Sequence, residues 1–212
     1  MIEIFHFHNP ENFYFAQAGS LGTWFPPGQK PCPECTVSRQ RRVPPLILEW
    51  EPGSDVVGDF VWPGFDDEVV VNQRVRDALE GRFRGFEFKP IEMWQSPRLN
   101  RPKNPKRGKA RVWLPYQGAP LWDLWVTAWC RLDIEKSGLI LKKVCSTCGE
   151  KYYTNSSSEN SPLVVDRSSW GGELIFHIDE YPRWIFCLQE VKEFIERAEF
   201  TNVAFLRDGF LP

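Results

Sequence analysis

Hydrophobic and polar positions alternate at the start of the chain. Residues 2–8 (IEIFHFH) read as a strand with Ile2, Ile4, His6 and His8 on one face. Leu46 to Trp50 (LILEW), after Pro44-Pro45, is a short strand. A helix is expected next. Asp66 is suited to the N-cap, Asp67 and Glu68 suit the positive end of the dipole, and Val71, Val75 and Leu79 recur every four residues until Gly81 or Gly85 ends it. Phe86, Phe88, Ile91 and Met93 form an extended segment interrupted by Pro90. Trp122, Trp125 and Trp129 fall at i, i+3 and i+7, one face of a helix whose aromatic stripe belongs to the core.

Gly138 to Val144 reads as a strand leading into a Cys-Ser-Thr-Cys-Gly turn. Leu174 to Ile178 and Trp184 to Leu188 are strands. Glu190 to Ala198 is a helix burying Val191, Phe194, Ile195 and Ala198, and Val203, Phe205 and Phe210 mark a last strand. Residues 19–31, 97–111 and 154–162 have no apolar period and read as loops. The pattern predicts an α+β fold: a mixed, mostly antiparallel sheet with a few helices, in a single domain over residues 1–212.

Composition narrows the class. A chain of 212 residues, 42% hydrophobic, can bury a sizeable core. No run approaches the roughly 18 apolar residues of a membrane helix. The N-terminus lacks the basic and apolar regions of a signal peptide, so a soluble cytoplasmic protein without a membrane partner is expected. Eighteen prolines and fifteen glycines predict short elements and many turns rather than a helical bundle.

The net charge of −2 conceals an asymmetry. Residues 98–111 (RLNRPKNPKRGKAR) carry seven basic side chains and no acidic one, so the remainder has 19 basic against 28 acidic residues, or −9. The acid is concentrated in Glu49–Glu80 (nine acidic, two basic) and Glu150–Pro212 (eleven acidic, six basic). Such a background suits a basic partner and argues against broad nucleic-acid binding. The basic stretch reads as an exposed, solvated loop. It could instead contact phosphates or an acidic patch on a partner.

The cysteines carry the strongest chemical signal. Four of six form two C-x-x-C pairs, Cys32/Cys35 and Cys145/Cys148. Two thiolates on a tight turn grip one side of a zinc ion, and two such turns complete a closed tetrahedral site, hence a structural one. Gly149 allows the backbone to turn sharply after the second pair. The pairs are 109 residues apart, against about 15–20 in a continuous zinc ribbon. A shared zinc would therefore tie the N-terminal third of the chain to the C-terminal third. Reduced metal-free thiols and a redox pair are the other readings. Pro31 and Pro33 around the first pair, and a Tyr-rich extended stretch after the second, do not fit a thioredoxin-like helix start. Cys130 and Cys187, in apolar surroundings, read as buried small hydrophobes.

Catalytic motifs are missing. There is no G-x-x-x-x-G-K-[ST], G-x-G-x-x-G, G-x-S-x-G or H-E-x-x-H, and only three histidines, His6, His8 and His177. His6 and His8 could offer two imidazoles to a metal, but no third ligand is evident. Asp66-Asp67-Glu68 is better explained by capping than by chelation. No enzyme is expected; a hydrolase using one of the histidines is the weakest of the readings.

With these residues in view, the chain resembles the double-C-x-x-C-G immunity proteins of myxobacteria, which protect cells from a swarm-inhibition toxin. The matching features are Trp24-Phe25-Pro26-Pro27-Gly28 before Cys32 and Cys35, then Cys145, Cys148 and Gly149. After these come Asp166, Ser168-Ser169, Leu174-Ile175-Phe176, Trp184-Ile185-Phe186, Val191 to Ala198 and Asn202-Val203-Ala204-Phe205. One departure is Thr36, where the family carries glycine. The resemblance implies a binding protein that neutralises a cognate toxin, encoded by the adjacent gene, by direct contact. The alternative is a zinc-ribbon nucleic-acid-binding module.

Overall fold

The computed structural model describes residues 1–21, 32–35, 43–64, 67–103, 108–155 and 161–212. Its centre is the first predicted strand. β1 (Ile2–His8) lies between two antiparallel neighbours from the far end of the chain, β14 (Tyr181–Leu188) and β15 (Ala204–Leu211). Outward from this trio, β13 (Ile175–Ile178) and β9 (Trp129–Cys130) follow β14, and β12 (Leu163–Val164) flanks β15, giving the order β12-β15-β1-β14-β13-β9.

Alternation along these strands divides the side chains between two cores. Phe5, Phe7, Ile185 and Cys187 point to one face, and Ile4, Phe186 and Leu188 to the other. The first core is closed by a four-stranded sheet, β4 (Phe60–Val61), β5 (Val70–Asn72), β8 (Leu121–Val126) and β6 (Phe86–Pro90), in the order β4-β5-β8-β6. Helices α1 (Gln73–Leu79) and α2 (Gln189–Arg197) add Val75, Leu79, Val191 and Ile195 to the same core. Behind the four-stranded sheet, Val61, Val70 and Leu121 pack on a third layer, β2 (Ala18–Ser20), β3 (Ile47–Trp50) and β7 (Glu92–Trp94). The fold is α+β. Its pairings are mostly antiparallel, with β12/β15, β9/β13 and β3/β7 parallel. No helix among the described residues is long and apolar enough to cross a membrane.

Two expected helical features are corrected. The first helix does not begin at Asp66, which lies outside the described residues. The β-branched run Val69-Val70-Val71 is fully buried and enters β5 instead, and the Asn72 side chain accepts from the Val75 N–H as the N-cap of α1. Asp67 and Glu68 are buried ahead of that strand rather than placed on a first helical turn. Helix α1 does end as expected, with Gly81 left-handed at φ 73°.

The tryptophan stripe is the second correction. Trp122 and Trp125 lie in β8 and Trp129 in β9. Trp122, Leu124 and Val126 share the side facing the first core, while Trp125 lies on the opposite side with Lys89 Nζ 3.9 Å from its ring centre. Pro90 interrupts the extended segment at the expected place. The chain leaves the four-stranded sheet there and joins the three-stranded one as β7.

Asp59 ties distant segments together. Its buried carboxylate accepts from the Thr201 N–H (2.8 Å), the Thr201 hydroxyl (2.9 Å), the Asn72 amide (2.9 Å) and Arg74 (3.1 Å). Burial pushes its pKa up, but these donors outweigh burial and hold it below the usual carboxylate range. With the folded pKa below the unfolded value, the stabilisation is present above about pH 4 and lost as pH falls through the folded pKa. Asp59→Ala should cost about 3 kcal/mol by leaving Thr201, Asn72 and Arg74 without their acceptor. Asp59→Asn should flatten the acid limb of a stability-versus-pH curve. Denaturant unfolding between pH 3 and 7 measures both.

Candidate metal centre

The two C-x-x-C turns meet. The Sγ atoms of Cys32, Cys35, Cys145 and Cys148 all lie within 4.8 Å of one another, although 113 positions separate Cys32 from Cys145. Cys32 Sγ is 3.7 Å from Cys145 Sγ, and Cys35 Sγ is 3.5 Å from Cys148 Sγ. For comparison, four sulfurs about 2.3 Å from one tetrahedral ion stand about 3.8 Å apart.

The second turn is carried by a hairpin of β10 (Leu139–Val144) and β11 (Lys151–Asn155). Of β10, Leu139 alone is buried, and Ile140, Leu141 and Val144 are exposed. A lone two-stranded hairpin is marginal in water, so this one depends on what it is tied to. At its tip the Gly149 N–H donates to the Cys145 carbonyl (2.9 Å) and the Cys145 N–H to Glu150 (2.7 Å), closing a tight turn. Gly149 has φ 75°, and a Cβ there would meet nothing within 4 Å, so backbone conformation rather than space selects glycine.

The two turns present their sulfurs alike. Backbone N–H groups of Cys35 and Glu34 point at Cys32 Sγ and lower its pKa to about 7. Those of Cys148 and Thr147 point at Cys145 Sγ in the equivalent way. At Cys145 that lowering is outweighed by burial and by the hydrogen bond to the Cys32 sulfur, and its thiol is raised. Cys148 is pushed up to about 12: the Glu150 N–H lowers it, but burial and hydrogen bonds to the Cys145, Cys35 and Cys32 sulfurs prevail. Cys32 thus ionises readily, while Cys145 and Cys148 resist doing so beside it. Gathering four thiolates requires a positive charge among them. Amide-lined sulfurs at these separations fit a metal ion, and the four cysteines could hold one.

Glu34 joins the turns and had no assigned role in the sequence reading. Its Oε2 accepts from Ser146 Oγ (2.6 Å) and Thr147 Oγ1 (2.8 Å), with Cys145 Sγ at 3.5 Å and Lys143 Nζ 3.6 Å from Oε1. The Ser146 and Thr147 hydroxyls lower its pKa to about 2. An acid inside one C-x-x-C facing hydroxyls inside the other was a usable signal only once the two turns were known to touch.

The remaining candidates separate clearly. Cys130 and Cys187 are buried in the two main cores; burial pushes Cys130 up to about 12 and Cys187 well above its ordinary value. His6 Nδ1 is 2.7 Å from Asp208 Oδ2, and its ring stacks on Trp184 at 4.5 Å. His8 meets His6 edge-on at 5.9 Å, and His177 Nδ1 lies 2.9 Å from the Trp184 carbonyl. Asp166 caps a single 3-10 turn at Arg167–Ser169. Described parts of the basic segment are largely exposed. Arg101, Lys109 and Arg111 line a cleft of about 670 Å³ with Asp55, Trp113 and Tyr116.

No family model matches this chain, and no curated protein is a match to it.

Glu34→Ala should leave all four sulfurs in place but release Ser146 and Thr147. Outer groups of this kind are worth about 10- to 100-fold in metal affinity. A chelator competition titration should therefore show metal held at least about tenfold more weakly, with Glu34→Gln recovering part of the loss.

Proposed function

We propose that this chain is an immunity protein that binds and neutralises a cognate toxin domain, with one structural zinc held by Cys32, Cys35, Cys145 and Cys148. The observation that carries the reading is the meeting of the two distant C-x-x-C turns in one four-sulfur cluster. That is the feature through which the chain resembles the double-C-x-x-C-G immunity proteins. Four protein sulfurs leave no open position for a substrate, so the metal maintains shape and performs no reaction. Zinc suits an all-thiolate tetrahedral set in a turn of this size.

Neutralising a toxin requires a surface rather than a catalytic group. The acidic balance supports a basic partner: Glu190, Glu193, Glu196 and Glu199 on and after α2 are exposed, as are Glu49's neighbours Glu51 and Asp55 on the other side of the sequence. Charge of this kind speeds association, and buried aromatic anchors supply affinity.

A second reading has its own observation. The cleft with Arg101, Lys109, Arg111 and Trp113 combines cations with an aromatic face, as nucleic-acid sites do. It requires binding that weakens steeply with salt and disappears when those cations are neutralised.

Co-expression with the product of the immediately upstream gene, in a host which that product kills, should restore growth and yield a co-purifying complex. No rescue, with salt-sensitive nucleic-acid binding, would favour the second reading. Independently, Cys148→Ser should lose the zinc and several kcal/mol of stability, because metal binding is coupled to folding. Unchanged thermal unfolding in the presence of chelator would remove zinc from the account.

A further inference from the structure

Residues 9–17 form a loop that is rigid yet turns its aromatics outward. Asn9 Oδ1 accepts from the Glu11 N–H (2.9 Å), Asn12 Oδ1 from the Tyr14 N–H (3.1 Å), and the Asn12 carbonyl from the Phe15 N–H (3.1 Å). Gln17 Nε2 donates to the Phe15 and Asn12 carbonyls at 3.0 and 3.3 Å. The turn 51–57 grips the loop from the side. Ser54 Oγ donates to the Tyr14 carbonyl (2.7 Å), the Ala16 N–H to Val56 (2.7 Å), and the Glu51 N–H to Gln17 (2.9 Å).

The side chains held in this way gain little from folding. Phe13 is 78% exposed, Tyr14 67% and Val56 39%. Glu11 has a left-handed backbone, φ 51°, which costs a non-glycine residue about 1 kcal/mol or more. A loop that is internally bonded, strained and led by exposed aromatics is organised for contact with something else. Rigid aromatic anchors reduce the entropy lost on binding.

The charge around the aromatics selects the kind of partner. Residues 9–17 and 51–57 contain Glu11, Glu51 and Asp55 and no basic residue, and all three acids are exposed. Among the described residues, the basic segment 108–111 is joined behind the turn by the Gly53 N–H to the Ala110 carbonyl (2.7 Å). There Lys109 and Arg111 line the cleft beyond Asp55.

We propose that this loop is the docking surface for the protein partner, inserting Phe13 and Tyr14 into an apolar pocket rimmed by basic groups. The proposal rests on the immunity reading and names the surface through which it works. Phe13 and Tyr14 are the affinity anchors; Glu11, Glu51 and Asp55 steer association.

The test titrates the purified product of the upstream gene into the wild-type chain and into F13A/Y14A. Both side chains are exposed, so the double variant should unfold at the wild-type temperature while binding about 30-fold or more weakly. The pair Glu11→Lys and Asp55→Lys should slow association at low salt with little change in dissociation. Wild-type binding matched by an equally tight F13A/Y14A complex overturns this surface and leaves the immunity reading intact. No binding by the wild type defeats both. Self-association of the wild type that F13A/Y14A abolishes assigns the loop to a second copy of this chain and overturns the proposal.

Discussion

Four cysteine sulfurs within 4.8 Å of one another, brought from the two ends of a 113-residue separation, are the constraint on which the outer part of this molecule depends. Sulfur atoms gain little by meeting, and as thiolates they repel. Cys32 ionises near neutrality, while burial and the neighbouring sulfurs push Cys148 up to about 12. The arrangement becomes favourable when a cation sits among the thiolates, which is the reason for reading it as a zinc knuckle. The hairpin that carries the second turn has a single buried residue in its first strand. It therefore takes its position from its ends, from Glu34 spanning the two turns, and from whatever the sulfurs hold.

The inner part is built on different terms. Two sheets face each other across a core that both helices enter, and β1, β13, β14 and β15 of the six-stranded sheet divide their side chains between two apolar layers. Phe7 and Phe60 meet there from opposite sheets at 6.3 Å. Apolar surface removed from water, at roughly 25 cal/mol per Å², is what holds such layers together. The strand order also sets the geography. β1 pairs with β15, and the segments between them supply both the four-stranded sheet that closes the core and exposed connections. The loop with Phe13 and Tyr14 is one of these exposed connections.

Much of this was readable in advance, for reasons that differ by region. Residues 2–8 and 174–211 were legible because clear two- and 3.6-residue periods match strands and a helix that tertiary contacts reinforce. The tryptophans misled because i, i+3 and i+7 mixes both faces of a strand. The full string Leu121 to Val126 is a six-residue run whose aromatic and branched residues favour a strand. Helix α1 was displaced for a related reason: three consecutive valines favour extended backbone, and capping passed to Asn72. At the site, the ligands were visible because two residues between cysteines is itself a chemical requirement. Glu34 was not, because its partners Ser146 and Thr147 are remote in sequence. The exposed aromatics of residues 13 and 14 were equally silent, since exposure is a property of the folded chain.

The central claim is that the two turns share one zinc ion. X-ray absorption at the zinc edge of the purified protein tests it most directly. The account predicts one zinc per chain with four sulfur neighbours at about 2.3 Å. Zinc bound through nitrogen or oxygen ligands, or a well-folded protein with no metal and four free thiols, would contradict it.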